Sequence, residues 1–153
     1  MLTANIHGPR ITSSAPCVKC VLQPTLKGVG GFRLGLVTTG AVVPIGNPDR
    51  LEVGNSTRWG SYSIEGLARL SPQEFQSIHR GFDTTWANDD PNRILPLDGL
   101  RILQQKERIR SIHSRYYVTS GQGTYVKDAV RMAGEIADEL HEAGVEGILL
   151  VSN

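Results

Sequence analysis

The stretch from Arg115 to Asn153 constrains the fold more than any other. Arg115–Thr119 holds two tyrosines, a valine and a threonine, residue types that favour extended backbone. Ser120–Thr124 is a short, glycine-bearing link. Val126, Val130, Ala133, Ile136, Ala137 and Leu140 then recur at intervals of three and four. That spacing makes one apolar stripe on a helix over about residues 124–143. Gly144 stands where a helix end favours a left-handed residue, and Gly147–Val151 reads as a buried strand. Strand, helix and strand with short links form a βαβ unit, whose two strands run parallel. The predicted fold class is therefore α/β: a three-layer sandwich with a mainly parallel sheet, Rossmann- or flavodoxin-like.

The rest of the chain is placed around that unit. Leu34–Thr39 is a short apolar run stopped by Gly40, a strand over 34–39 that feeds a tight turn. Residues 1–33 hold Pro9, Pro16 and Pro24 and end near Gly28, Gly30 and Gly31, so they read as an irregular tail before an α/β domain over 34–153. Residues 40–66, rich in Gly, Pro, Asn, Ser and Asp, read as a long loop. Ser71-Pro72-Gln73-Glu74 has the residue order of a helix start, predicting a helix to about His79. Gly81–Pro91 is a second loop, and Leu97–Leu103 opens a helix with Asp98 as its cap. Tyr116 and Tyr117 are assigned to the strand core.

Composition narrows the function classes. The chain has 153 residues, room for one domain with a real core. Sixteen basic residues against fifteen acidic leave a net charge of +1, which excludes a nucleic-acid binder of the usual basic kind. No apolar run reaches the roughly 18 residues of a membrane span. Met1–Pro16 lacks the charged start and apolar stretch of a secretory signal. Two cysteines do not make a disulfide scaffold, and a cytoplasmic location is the default.

Candidate sites follow from position and chemistry. In open α/β sheets ligands bind beyond the carboxyl ends of the strands. Thr39-Gly40 and Gly121-Gln122-Gly123-Thr124 fall at such ends. The second segment also precedes a helix N-terminus, a natural site for an anion; its alternative is a glycine turn that merely starts the helix. His79 and Asp83 are placed at a helix end and the loop after it. They are candidates for proton transfer or anion stabilisation, against a helix-terminal histidine and an Asx-type turn. Cys17-x-x-Cys20 is a redox dithiol or half a zinc site by spacing, but it sits in a proline-bounded tail with no second pair. Asn88, Asp90, Asn92 and Asp98 lack calcium-loop spacing and read as loop and cap residues, so no metal site is assigned. His7, His113 and His141 are assigned to surface or packing.

These residues also carry a resemblance. Leu36–Arg50 (LVTTGAVVPIGNPDR), Tyr62–Gly66, His79–Asp83, Ala87–Asp98, Gly121–Thr124 and Glu135–Leu140 together resemble the selenoprotein B subunit of glycine, sarcosine and betaine reductases. The related D-proline reductase subunit shares the domain. The likeness covers about residues 34–153. It departs at Arg80, Phe82 and Gln122, where the family usually has glycine, tyrosine and asparagine.

The resemblance implies reductive cleavage of a carbon–nitrogen bond α to a carboxylate. A selenolate attacks the α-carbon and expels the amine, and dithiols then reduce the selenium adduct. It implies His79 and Asp83 as catalytic residues, and Thr39, Gly40, Gly121, Gln122, Gly123 and Thr124 as substrate-binding ones. It also implies a partner subunit carrying a pyruvoyl group, this chain itself holding no cofactor. The reductant would be a selenoprotein or a thioredoxin-like protein. In the family, selenocysteine follows the segment resembling Gly147–Asn153. The expectation is therefore a reading frame cut at a UGA codon, and a chain inactive alone. A non-catalytic module for small carboxylates, or a degenerate fragment, is the alternative; the codon after Asn153 separates them.

Overall fold

A computed structural model describes residues 31–152. Most of the 1–33 tail, with His7, Cys17 and Cys20, lies outside the described residues, as does Asn153. The elements in chain order are β1 (Arg33–Thr38), β2 (Val42–Pro44), β3 (Gly60–Ser63), β4 (Phe75–Ser77) and α1 (Thr85–Asp89). A 3₁₀ turn at Pro91–Arg93 follows, then α2 (Leu97–Gln105), β5 (Ser111–Val118), α3 (Val126–Glu142) and β6 (Gly147–Val151).

Four strands form one sheet in the order β3-β5-β1-β6. β1 lies between β5 and β6 and is parallel to both, while β3 runs antiparallel to β5. The βαβ unit read from the sequence is thus β5-α3-β6, and it crosses over β1. A second sheet pairs β2 with β4, antiparallel. The fold is α/β with a mostly parallel four-stranded sheet.

Alternation along the strands divides the core. Leu34, Leu36, Ile112, Tyr116 and Val118 belong to a large cluster with Val42, Val43, Phe75, Leu97 and Leu100, so β2, β4 and α2 cover one face. Val37 and Tyr117 meet Ile136 and Leu140 of α3 in a smaller cluster on the other face. α3 lies close over Gly35, where an added Cβ would stand 2.8 Å from Leu140 Cδ2. α3 ends as expected: Gly144 has φ +67, its N–H bonds to His141 O, and Val145 N–H bonds to Leu140 O. That double bond is a Schellman cap.

Several expectations are corrected. Gly147–Val151 is a strand but not a buried one: Ile148 and Leu150 are 53% and 60% exposed. The helix over 71–79 is instead one turn followed by a strand. Ser71 O accepts from Glu74 N–H and Phe75 N–H, and then Phe75–Ser77 pairs with Val42–Pro44. Burial of Phe75, Ser77 and His79 has period two, so tertiary pairing overrides a good helix start. The helix at 97 begins after Pro96, and Asp98 in its first turn accepts only from Gly99 N–H, at 2.7 Å. The α3 stripe is mostly uncovered: of its six residues only Ile136 and Leu140 are buried, Val126 and Val130 are 74% and 53% exposed, and the buried Met132 lies outside the stripe. The 40–66 and 81–91 loops hold β2, β3 and α1. Tyr116 and Tyr117 are core, as read from the sequence. No helix of the described residues is long and apolar enough to cross a membrane.

Candidate functional site

The parallel strands β1, β5 and β6 deliver Thr39, Thr119–Ser120 and Ser152 to one edge of the sheet. The backbone there is knitted together: Thr39 N–H donates to Val151 O at 3.0 Å, and Gly121 N–H to Thr39 O at 3.1 Å. Thr39 Oγ1 donates to Ser152 Oγ at 3.3 Å. A cavity of about 680 Å³ opens at this edge and runs between α3 and β6. One end is polar, lined by Thr39, His79, Ser120, Gly121, Gln122 and Thr124. The other end is apolar, lined by Ala129, Ala133, Ala137, Ile148 and Leu150.

A segment that the sequence left unassigned builds the polar end. Val53–Ser56 folds across both the 79–81 and 120–124 loops. Arg80 N–H donates to Val53 O, and Asn55 N–H donates to Gln122 O at 2.6 Å. Ser120 Oγ donates to Val53 O, Ser120 N–H to Ser56 Oγ, and Ser56 N–H to Thr124 Oγ1. Gly123 is left-handed, φ +68, and an added Cβ would stand 2.1 Å from Asn55 Oδ1. Gly123 is therefore a packing requirement of this lock, while Gly121 packs against Thr39, 3.1 Å from an added Cβ. The signal available in the sequence was Gly54-Asn55, a turn pair inside the long loop.

His79 is 7% exposed and follows β4 rather than a helix. Its Nδ1 accepts the Gly81 N–H at 2.9 Å, and its ring lies 4.9 Å from that of Phe82. Burial holds its pKa below the usual 6.5. Asp83 is exposed, outside the cavity lining, and accepts from both the N–H and the hydroxyl of Thr85. Those two bonds, the hydroxyl first, hold its carboxyl below the ordinary range. This is the Asx-type turn at the start of α1. Gly40 is buried beside the cavity, its N–H on Thr38 Oγ1 and its carbonyl on Ser77 Oγ. The structure thus brings Thr39, His79, Gly121, Gln122 and Thr124 to one cavity; Gly40, Asp83 and Gly123 support its walls or stand apart.

Other polar candidates have structural partners. Asn92 bonds Leu70 through both its oxygen and its nitrogen, and Asp90 pairs with Arg69 at 3.1 Å. His113 is buried against Tyr117. Among the described residues no group of three His, Cys, Asp or Glu side chains could hold a metal ion.

Comparison with known proteins agrees with the resemblance. A betaine reductase complex component B subunit beta of Peptoclostridium acidaminophilum is 37% identical over 99% of this chain and 36% of its own length. A glycine reductase complex component B subunit gamma of Carboxydothermus hydrogenoformans has the same identity and coverage. A sarcosine reductase complex component B subunit beta of P. acidaminophilum is 32% identical over 99% of the chain. The chain spans about a third of the length of these relatives. No solved structure matches it. The sequence model of the family described as glycine/sarcosine/betaine reductase selenoprotein B matches residues 6–153, and the chain belongs to that family.

Proposed function

We propose that the chain is the substrate-holding part of a selenium- or thiol-dependent reductase. The complex would cleave the carbon–nitrogen bond of glycine, sarcosine, betaine or D-proline type substrates. The observation that supports the reading is the two-ended cavity beyond the carboxyl edge of β1, β5 and β6. A small amino acid or betaine offers a carboxylate to the hydroxyl- and amide-lined end. Its N-alkyl groups suit the apolar wall of α3 and β6. Among the described residues no acidic side chain lines the cavity to repel the carboxylate.

In this reading a selenolate or thiolate attacks the substrate α-carbon. A bond to selenium or sulfur forms as the carbon–nitrogen bond breaks, and the amine leaves with the electron pair. A selenoprotein or thioredoxin-like dithiol then reduces the adduct. A partner subunit with a pyruvoyl group would supply carbonyl chemistry toward amine substrates; this chain supplies the cavity. The fold is read as a three-layer, Rossmann- or flavodoxin-like sandwich in a cytoplasmic protein.

The test is calorimetric titration of the 153-residue chain with betaine, glycine, sarcosine and D-proline. Thiol-dependent amine release is then measured with the partner subunits added. Binding of at least one of the four, and amine release only with the partners present, is expected. Binding of none overturns the reading. Turnover by the chain alone would direct attention to Cys17 and Cys20 as nucleophiles.

A further inference from the structure

Among the described residues His79 is the only ionisable one lining the cavity, and its hydrogen-bond geometry fixes which nitrogen carries the proton. A backbone N–H can only donate. Gly81 N–H points at Nδ1 from 2.9 Å, so Nδ1 presents its lone pair. In a neutral imidazole the hydrogen must then sit on Nε2. Nε2 is buried and has no hydrogen-bond partner among the described residues. A buried, unpartnered N–H is costly, and native proteins rarely leave one. Adding a second proton at Nδ1 would set two N–H groups against each other, and burial already disfavours the charged ring. The ring therefore has no free lone pair with which to act as a base.

We propose that His79, locked as its Nε2–H tautomer by Gly81, is the hydrogen-bond donor that receives a carboxylate oxygen of the ligand in this cavity. The carboxylate as ligand rests on the reading proposed above; the tautomer lock does not. The ring of Phe82, which also lines the cavity, lies against the imidazole with centroids 4.9 Å apart. Gly81 is part of the device. A Cβ there would stand 2.7 Å from His79 Cε1 and 3.1 Å from the Gln122 side-chain carbon Cδ. Only a residue without a side chain keeps its N–H aimed at Nδ1 with Gln122 packed alongside.

The experiment is long-range ¹H–¹⁵N correlation on the 153-residue chain with ¹⁵N-labelled histidine, His79 being assigned by its loss in His79→Gln. Without ligand, at pH 7, the His79 ring should show a protonated Nε2 and a bare Nδ1. A bare Nε2, or two tautomers in exchange, overturns the lock. Sodium acetate is then titrated in, against sodium chloride at equal ionic strength. Acetate alone should move the His79 Nε2–H resonance, and an unmoved resonance overturns the assignment of the carboxylate. Acetate affinity should fall about ten- to a hundredfold in His79→Ala, as for other hydrogen bonds to charged groups. His79→Gln keeps an N–H donor and should recover most of it. Equal affinity in all three chains also overturns the proposal. Failure of betaine, glycine, sarcosine and D-proline to bind, with the acetate response intact, removes the reductase reading and leaves the donor role standing.

Discussion

Gly123 shows how a single residue can be fixed by two independent constraints. Its φ of +68 suits glycine, and its missing Cβ leaves 2.1 Å to Asn55 Oδ1. Gly123→Ala should lower stability by about 1–3 kcal/mol, the range for strained backbone and overpacking, read from urea denaturation. Adding Asn55→Gly should return only part of that loss, because it removes the clash and leaves the strain. Titration offers a second check at this scale. Burial holds His79 and His113 below the usual 6.5, with the cations Arg33 and Arg115 adding to the effect at His113. Below about 6.5 the unfolded chain takes up protons that the folded chain refuses. Stability should therefore be full above that pH and decline as pH falls through it. A second decline should follow in the carboxylate range. Asp90 is lowered chiefly by its bond from Asn92; at Glu52 burial pushes up but hydrogen bonds from its backbone, Thr57 and Arg58 outweigh it. Chemical denaturation from pH 8 to pH 2 reads both. Of the site, the sequence showed Thr39, His79 and the 121–124 loop, which carry chemically distinctive residues. It hid Val53–Ser56, whose part is played mostly by backbone carbonyls and N–H groups that any residue possesses.

Among the elements, α3 was legible because its three- and four-residue spacing is long, and β6 was legible as a strand, though not as the exposed edge it forms. β4 was not. Three residues cannot show a period, and Ser71-Pro72-Gln73-Glu74 completes a real turn before pairing with β2 takes over. Two glycines in regular elements behave oppositely. Gly134 lies inside α3 with nothing within 4 Å of an added Cβ. Gly134→Ala should raise stability by about 0.5–1 kcal/mol, the ordinary helix-interior difference. Gly35 lies under the end of α3, where a Cβ meets Leu140 at 2.8 Å and Val145 at 3.1 Å. Gly35→Val should force α3 off the sheet and cost about 1–3 kcal/mol. Thermal melts of the two variants should move in opposite directions.

At the scale of the molecule, the apolar surface is uneven. Ile148 and Leu150 of β6 are 53% and 60% exposed, as are Val126 and Val130 of α3 at 74% and 53%. Among the described residues β6 pairs only with β1, so its outer edge presents free backbone groups. An exposed apolar strand at a sheet edge favours self-association. The 153-residue chain should sediment as concentration-dependent oligomers, and Ile148→Lys with Leu150→Lys should shift it toward monomer without lowering its melting temperature. The cavity beside this face has a separate consequence, since among the described residues its lining holds no ionisable side chain except an imidazole whose pKa burial lowers. With His79 as the tautomer proposed above, a carboxylate entering there meets an N–H already present and needs no proton. Its heat of binding at pH 7.5 should be the same in phosphate and in Tris, whose ionisation enthalpies differ widely, so calorimetry on this protein would report contact and dehydration free of any buffer contribution.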